Sequence, residues 1–224
     1  TPGRNATAVA DFTIGMILSE CRNIARAHAN LKAGRWVRDY VNAATVPDLE
    51  DKTVGIIGMG QIGRKVAKRL HGFDVRILGY DPYADTLPDY VVRASLDELL
   101  EQADFVTIHG RLTDETKGMM NAHAFSLMKP TAYFINTARA GLVDEAALYA
   151  ALKERRIQGA ALDVFEHEPL KEDDPLVGLD NVTITPHLAG GTVDAFLHSP
   201  VLLAREMEGA LSGDLTSRYI VRQK

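Results

Sequence analysis

Six short, nearly continuous apolar runs, at 54–57, 75–78, 105–108, 132–135, 160–162 and 182–184, constrain this chain most. Between them lie helical patterns at 62–70, 96–102 and 145–154. Strands that are apolar along their whole length must be covered on both faces, and helices between them supply that cover. The alternation therefore predicts an α/β fold, a doubly wound parallel sheet of the Rossmann type. Amphipathic helices flank it at both ends. Ile14, Ile17, Leu18, Cys21, Ile24 and Ala25 form one apolar stripe, on a helix expected from about residue 5 toward 34. Leu203, Met207, Ala210 and Leu211 form another, and Pro200 is expected to begin or kink that second helix.

Composition narrows the function classes. The 224 residues carry a net charge of −5, which disfavours nucleic-acid binding, since that needs a surplus of Lys and Arg. No apolar run is long enough to span a bilayer and no signal peptide is visible, so no membrane role is expected. The single Cys21 reads as a buried thiol in a reducing compartment, which points to the cytoplasm. Thr1-Pro2-Gly3 carries no initiating Met, and the sequence is expected to begin inside a larger protein.

Gly58-Met59-Gly60-Gln61-Ile62-Gly63 follows the first apolar run directly and opens a helix. In that context G-x-G-x-x-G is a dinucleotide turn. Gly58 allows the tight bend, Gly60 lets the backbone approach a pyrophosphate, and Gly63 lets helix and strand pack closely. The free N–H groups of the helix then face the phosphates. Asp81, 18 positions beyond Gly63, ends the second run, where a carboxylate can accept from ribose hydroxyls and repel a 2′-phosphate. NAD is thus expected rather than NADP.

Four stretches now come together in order: 53–63, Asn136-Thr137-Ala138-Arg139-Ala140-Gly141-Leu142-Val143-Asp144-Glu145, 159–169 with its Asp163-Val164-Phe165-Glu166-His167-Glu168-Pro169, and Thr185-Pro186-His187. They resemble the successive signatures of the D-2-hydroxyacid dehydrogenases, in particular the phosphoglycerate dehydrogenase and glyoxylate/hydroxypyruvate reductase branch. The resemblance implies an NAD-dependent enzyme that moves hydride to or from C2 of a small 2-keto or 2-hydroxy acid. It implies that His187 exchanges the proton of the substrate oxygen. Glu168 would favour the charged imidazole by lying beside it. Arg139 would grip the substrate carboxylate with a planar fork.

The same resemblance gives further cofactor contacts to Gln61, Ile62, Gly110, Thr137, Ala138, Arg139, Asp163, His187 and Gly190, with Leu188 and Ala189 beside them. Asp163 would hold the carboxamide. It also implies a homodimer joined through the segment around 5–34. Residues 1–192 would form the dinucleotide domain, and 193–224 would return to a substrate domain largely missing from this sequence. Two departures stand out. His109-Gly110-Arg111-Leu112-Thr113 carries Arg111 where the family often has the Pro of Pro-Leu-Thr, and Ala140 replaces a usual Gly. Arg111 could meet a substrate anion, a phosphate or only solvent.

Two rivals use the same fold. An NAD(H)-sensing corepressor keeps the same three residues, although the acidic balance and lack of an interaction tail favour the enzyme. Formate dehydrogenase needs an uncharged partner for its histidine, which Glu168 is not. Glu166-His167-Glu168 has no second ligand cluster to support a metal.

Overall fold

The computed structural model describes residues 3–40 and 48–212. Seven parallel strands form one sheet: β1 (Thr53–Ile57), β2 (Arg76–Tyr80), β3 (Val91–Arg93), β4 (Phe105–Ile108), β5 (Tyr133–Asn136), β6 (Gly159–Leu162) and β7 (Val182–Ile184). Their order is β3-β2-β1-β4-β5-β6-β7, so the chain reverses its winding direction between β1 and β4. Such a switch point opens a crevice at the carboxyl ends of the two strands. The central strands β1, β4, β5 and β6 are buried at every residue, as their unbroken apolar runs require.

Successive side chains point to opposite faces and build two cores. On one, Val54, Ile56, Phe105, Tyr133 and Ile135 meet Ile14 and Ile17 of α1 (Ala6–Arg22) and Val66 and Leu70 of α3 (Gln61–Leu70). The Phe105 and Tyr133 rings stack there at 5.2 Å between centroids. On the other, Ile57, Val106, Phe134 and Leu162 meet Leu99 of α4 (Leu96–Gln102), Phe125 of α5 (Ala122–Leu127) and Leu148 and Leu152 of α6 (Glu145–Lys153). Each of these three helices starts at a polar cap: Ser95 in a reciprocal box with Glu98, Asn121 onto Ala124, Asp144 onto Ala147.

The fold corrects the sequence reading in three places. A seventh strand, β3, lies at the sheet edge with Val92 half-exposed. The first helix is not continuous from 5 to 34. It breaks at Asn23, which adopts φ 53°, and α2 (Ile24–Lys32) leaves in a new direction. Burial along the stripe stops at Cys21, so Ile24 and Ala25 are exposed. At the other end α7 (Val193–Leu211) runs through Pro200, which excludes a start there and leaves the kink as the expected effect of that residue. Its Leu203, Met207 and Leu211 are exposed. Residues 41–47 and 213–224, including the end of the segment expected at 193–224, lie outside the described residues.

A charged pair sits at the amino-terminal edge of the sheet, far from the crevice. Glu20 is fully buried on α1, and its carboxylate meets the Arg26 guanidinium of α2 at 2.9 Å. Burial pushes the Glu20 carboxyl above its ordinary range, opposed by Arg26. Arg26 also donates to the Asp180 carbonyl, tying α2 to the segment before β7.

Candidate active site

The turn after β1 is shaped by its neighbour strand. Gly58 has φ 91°, and a Cβ there would lie 2.6 Å from the Gly110 nitrogen. Only glycine both adopts this conformation and lets the turn rest on the segment after β4. Gly63 meets the same turn from α3, since its Cβ would fall 2.0 Å from the Gly58 carbonyl oxygen. Gly60 differs. A Cβ on it would touch nothing within 4 Å, and it caps α3 without any side-chain cap. No packing demand of the protein calls for glycine here, and Gly60, Gln61 and Ile62 line the cavities beside the turn. That combination fits an anion laid against the backbone.

Asp81 leaves β2 and accepts the Met59 N–H at 2.8 Å and the Tyr83 N–H at 2.9 Å. Its carboxylate is thus tied to the glycine turn. Gly58, Gly60, Asp81, Tyr83, Gly110 and Arg111 line one cavity of about 580 Å³. A second, of about 760 Å³, adjoins it and is lined by Gln61, Ile62, Gly110, Arg111, Thr137, Ala138 and Arg139, among others. The two halves of a dinucleotide need such adjoining spaces on either side of a glycine turn.

Beyond β5 the chain is fixed by Asn136, whose side chain accepts the Ala138 N–H and donates to the Arg139 carbonyl. Thr137 meets the Thr13 hydroxyl of α1 at 2.8 Å. Arg139 is exposed, with Nη1 donating back to the Ala138 carbonyl at 2.6 Å. Beyond β6, Asp163 is fully buried. Its carboxylate accepts the Thr185 hydroxyl at 2.6 Å and the N–H groups of Leu188 and Ala189 at 2.9 and 2.8 Å. These three bonds tie the loop around His187 to the end of β6.

That loop holds His187 at φ 54°, a left-handed conformation uncommon for residues other than glycine. The Asp163 bonds on either side over-determine it. His187 Nδ1 lies 2.7 Å from Glu168 Oε2, and the other Glu168 oxygen accepts the Phe165 N–H at 3.1 Å. These two hydrogen bonds, the histidine's first, hold the Glu168 carboxyl below its ordinary range. With Nδ1 engaged, Nε2 is the nitrogen left for a substrate. His187, Arg139, Thr137 and Gly190 share one small cavity of about 290 Å³.

Sequence reasoning missed three contributors. Arg4 and Asn5 line this small cavity and its larger neighbour, although the sequence placed Asn5 merely at a helix start. His109 lines both cofactor-sized cavities; its Nε2 meets the Thr107 hydroxyl, its Nδ1 has no partner, and burial pushes its pKa down to about 3. No motif marks Arg4 or Asn5, whereas His109 stood in a quoted run without a role. Glu166 and His167 are exposed, and among the described residues no three His, Cys, Asp or Glu side chains converge as a metal site.

Residues 14–189 match the family model of the D-isomer specific 2-hydroxyacid dehydrogenase, NAD binding domain. The chain is 44% identical to the glyoxylate reductase of Thermofilum pendens, over all of this chain and 67% of that protein. It is 41% identical to the D-3-phosphoglycerate dehydrogenase of Methanocaldococcus jannaschii, over 98% of this chain but only 42% of that one. The D-lactate dehydrogenase of Aquifex aeolicus, solved with NAD and lactic acid, superposes with a TM-score of 0.82 at 33% identity, covering 96% of this chain and 69% of its own. The chain thus spans between two-fifths and about two-thirds of these relatives. Glycine turn, tethered Asp81 and parallel seven-stranded sheet agree with the match, and the chain belongs to the family of NAD-binding domains of the D-isomer specific 2-hydroxyacid dehydrogenases.

Proposed function

We propose that this chain is the dinucleotide-bearing part of a cytoplasmic, homodimeric oxidoreductase that interconverts small D-2-hydroxy acids and 2-keto acids of the glyoxylate, hydroxypyruvate or 3-phosphoglycerate type. The observation that carries the reading is the 2.7 Å pair of His187 and Glu168 on the small cavity that Arg139 also lines, next to the glycine turn. Bound NAD supplies hydride transfer to or from C2. The chain's own side chains do the rest.

Arg139 binds the substrate carboxylate through its fork and places the C2 oxygen within reach of the histidine. In reduction, His187 gives its Nε2 proton to that oxygen; in oxidation the neutral ring takes it back. Glu168 fixes the ring by accepting from Nδ1 and stabilises the imidazolium form. Asp163 positions the loop, so that His187 arrives pre-oriented. Gly60, Gln61 and Ile62 present backbone N–H groups to the pyrophosphate, and the Asp81 carboxylate, set to meet ribose hydroxyls, opposes a 2′-phosphate.

Residues 1–192 serve as the dinucleotide domain, and α7 leads back toward a substrate domain, which explains its exposed Phe196, Leu203 and Met207. The exposed Ile24 and Leu31 of α2 suit association with a second copy. The test is turnover of glyoxylate, hydroxypyruvate and 3-phosphoglycerate by the full-length protein with NADH or NAD, beside His187→Ala. Loss of about 10²–10⁴-fold in kcat with NADH binding intact is the expected result. A variant as active as the parent refutes the assignment.

A further inference from the structure

Arg111 stands where two cavities meet. Gly58 rests against Gly110, so the turn after β1 and the segment after β4 touch at the switch point. Just beyond that contact, Arg111 lines the cavity that holds Asp81 and Gly60 as well as the one that holds Gln61, Thr137 and Arg139. A ligand that fills both must cross the divide beside Arg111. For a dinucleotide, the group that crosses is the pyrophosphate.

The charges in this region leave that role to one side chain. Three described residues line both cavities: His109, Gly110 and Arg111. His109 is neutral and Gly110 has no side chain. Nearby guanidiniums are bound or placed elsewhere. Arg64 donates to the Thr86 carbonyl, Arg69 pairs with Asp11, and Arg4 and Arg139 line the cavities around Thr137 but not the one that holds Asp81. The Arg111 backbone carbonyl accepts from Thr116, but its guanidinium bonds to no other described residue. The uncapped end of α3 offers only about half a positive charge to a group that carries two negative ones.

We propose that Arg111 is a cofactor-binding residue that clamps the dinucleotide pyrophosphate from the β4 side, facing the α3 terminus across the cleft. A fork of fixed donors suits two adjacent phosphates. The substrate-anion reading is the weaker one. Arg139 already serves the substrate carboxylate in the reading above, and Arg111 also lines the cavity on the Asp81 side, where no keto acid needs to go. The inference rests on the NAD reading above.

Titration of the full chain, Arg111→Ala and Arg111→Lys with NADH, ADP and adenosine tests it. Arg111→Ala is expected to weaken NADH and ADP about tenfold, the effect of one charge-assisted contact at a solvated site, and to leave adenosine unchanged. Arg111→Lys falls between, and the difference shrinks in high salt. If NADH and ADP bind the alanine variant as they bind the parent, the clamp is refuted; an increase confined to the keto-acid KM would assign Arg111 to the substrate. No NADH binding by the parent would instead overturn the dinucleotide reading itself.

Discussion

The buried Asp163 carboxylate lies 2.6 Å from the Thr185 hydroxyl, and with the Leu188 and Ala189 amides it pins both sides of His187. Asp163→Ala takes the shared acceptor from three donors, of which the Ala189 amide is buried. A stability loss of about 3 kcal/mol follows from leaving them unmet. Turnover should fall further than stability explains, because His187 then relaxes from its left-handed backbone. Denaturant unfolding beside kcat at a temperature where the variant is folded separates the two; an unchanged kcat would show that the loop orders itself.

Glu168 gives a pH prediction. Its folded carboxyl titrates below the ordinary 4.5 because the His187 ring donates to it, with the Phe165 amide second. A depressed acid stabilises the fold fully above the ordinary value and loses that contribution as pH falls through the lower one. The carboxyl resonance of Glu168 should therefore move up toward the ordinary range in His187→Ala. Identical midpoints in parent and variant would mean that the pair is not formed in solution.

Two glycines three positions apart should respond oppositely. At Gly63 an added methyl meets the Gly58 carbonyl oxygen at 2.0 Å, so Gly63→Ala forces α3 away from β1 and lowers the unfolding midpoint. At Gly60 the methyl meets no protein atom. Gly60→Ala is expected to unfold like the parent while NADH binding drops, the methyl occupying space meant for phosphate. Equal NADH affinity in Gly60→Ala and parent would remove the pyrophosphate from that spot.

How much of this was legible in the sequence follows from burial. β1, β4, β5 and β6 are covered on both faces, so their apolar runs announced them. β3 has one neighbour and leaves Val92 and Arg93 outside, which breaks any run. The helix break at Asn23 escaped because Ile24 and Ala25 continue the apolar spacing, although Asn is among the few residues that enter the left-handed region readily. His187, Glu168 and Arg139 were readable through their motifs. Arg4, Asn5 and Thr13 reach the site only through the tertiary packing of α1, which no local pattern encodes.

The Glu20 and Arg26 pair predicts an asymmetry. Arg26→Ala leaves a fully buried carboxylate without its cation, held only by Thr183, and should cost about 3–5 kcal/mol at neutral pH. Because burial raises the Glu20 carboxyl, that loss should diminish as pH falls and the group takes up a proton. Glu20→Gln in the Arg26→Ala background should recover much of it. Unfolding curves at pH 5 and pH 8 check the sign, and a pH-independent loss would exclude the charge as its cause.

All chemistry-bearing segments leave the sheet at one rim, where winding reverses between β1 and β4. The opposite rim, with its Glu20–Arg26 tie, governs only whether the molecule holds together. Substitutions at the Glu20–Arg26 end can therefore change stability without touching a residue of the reactive rim.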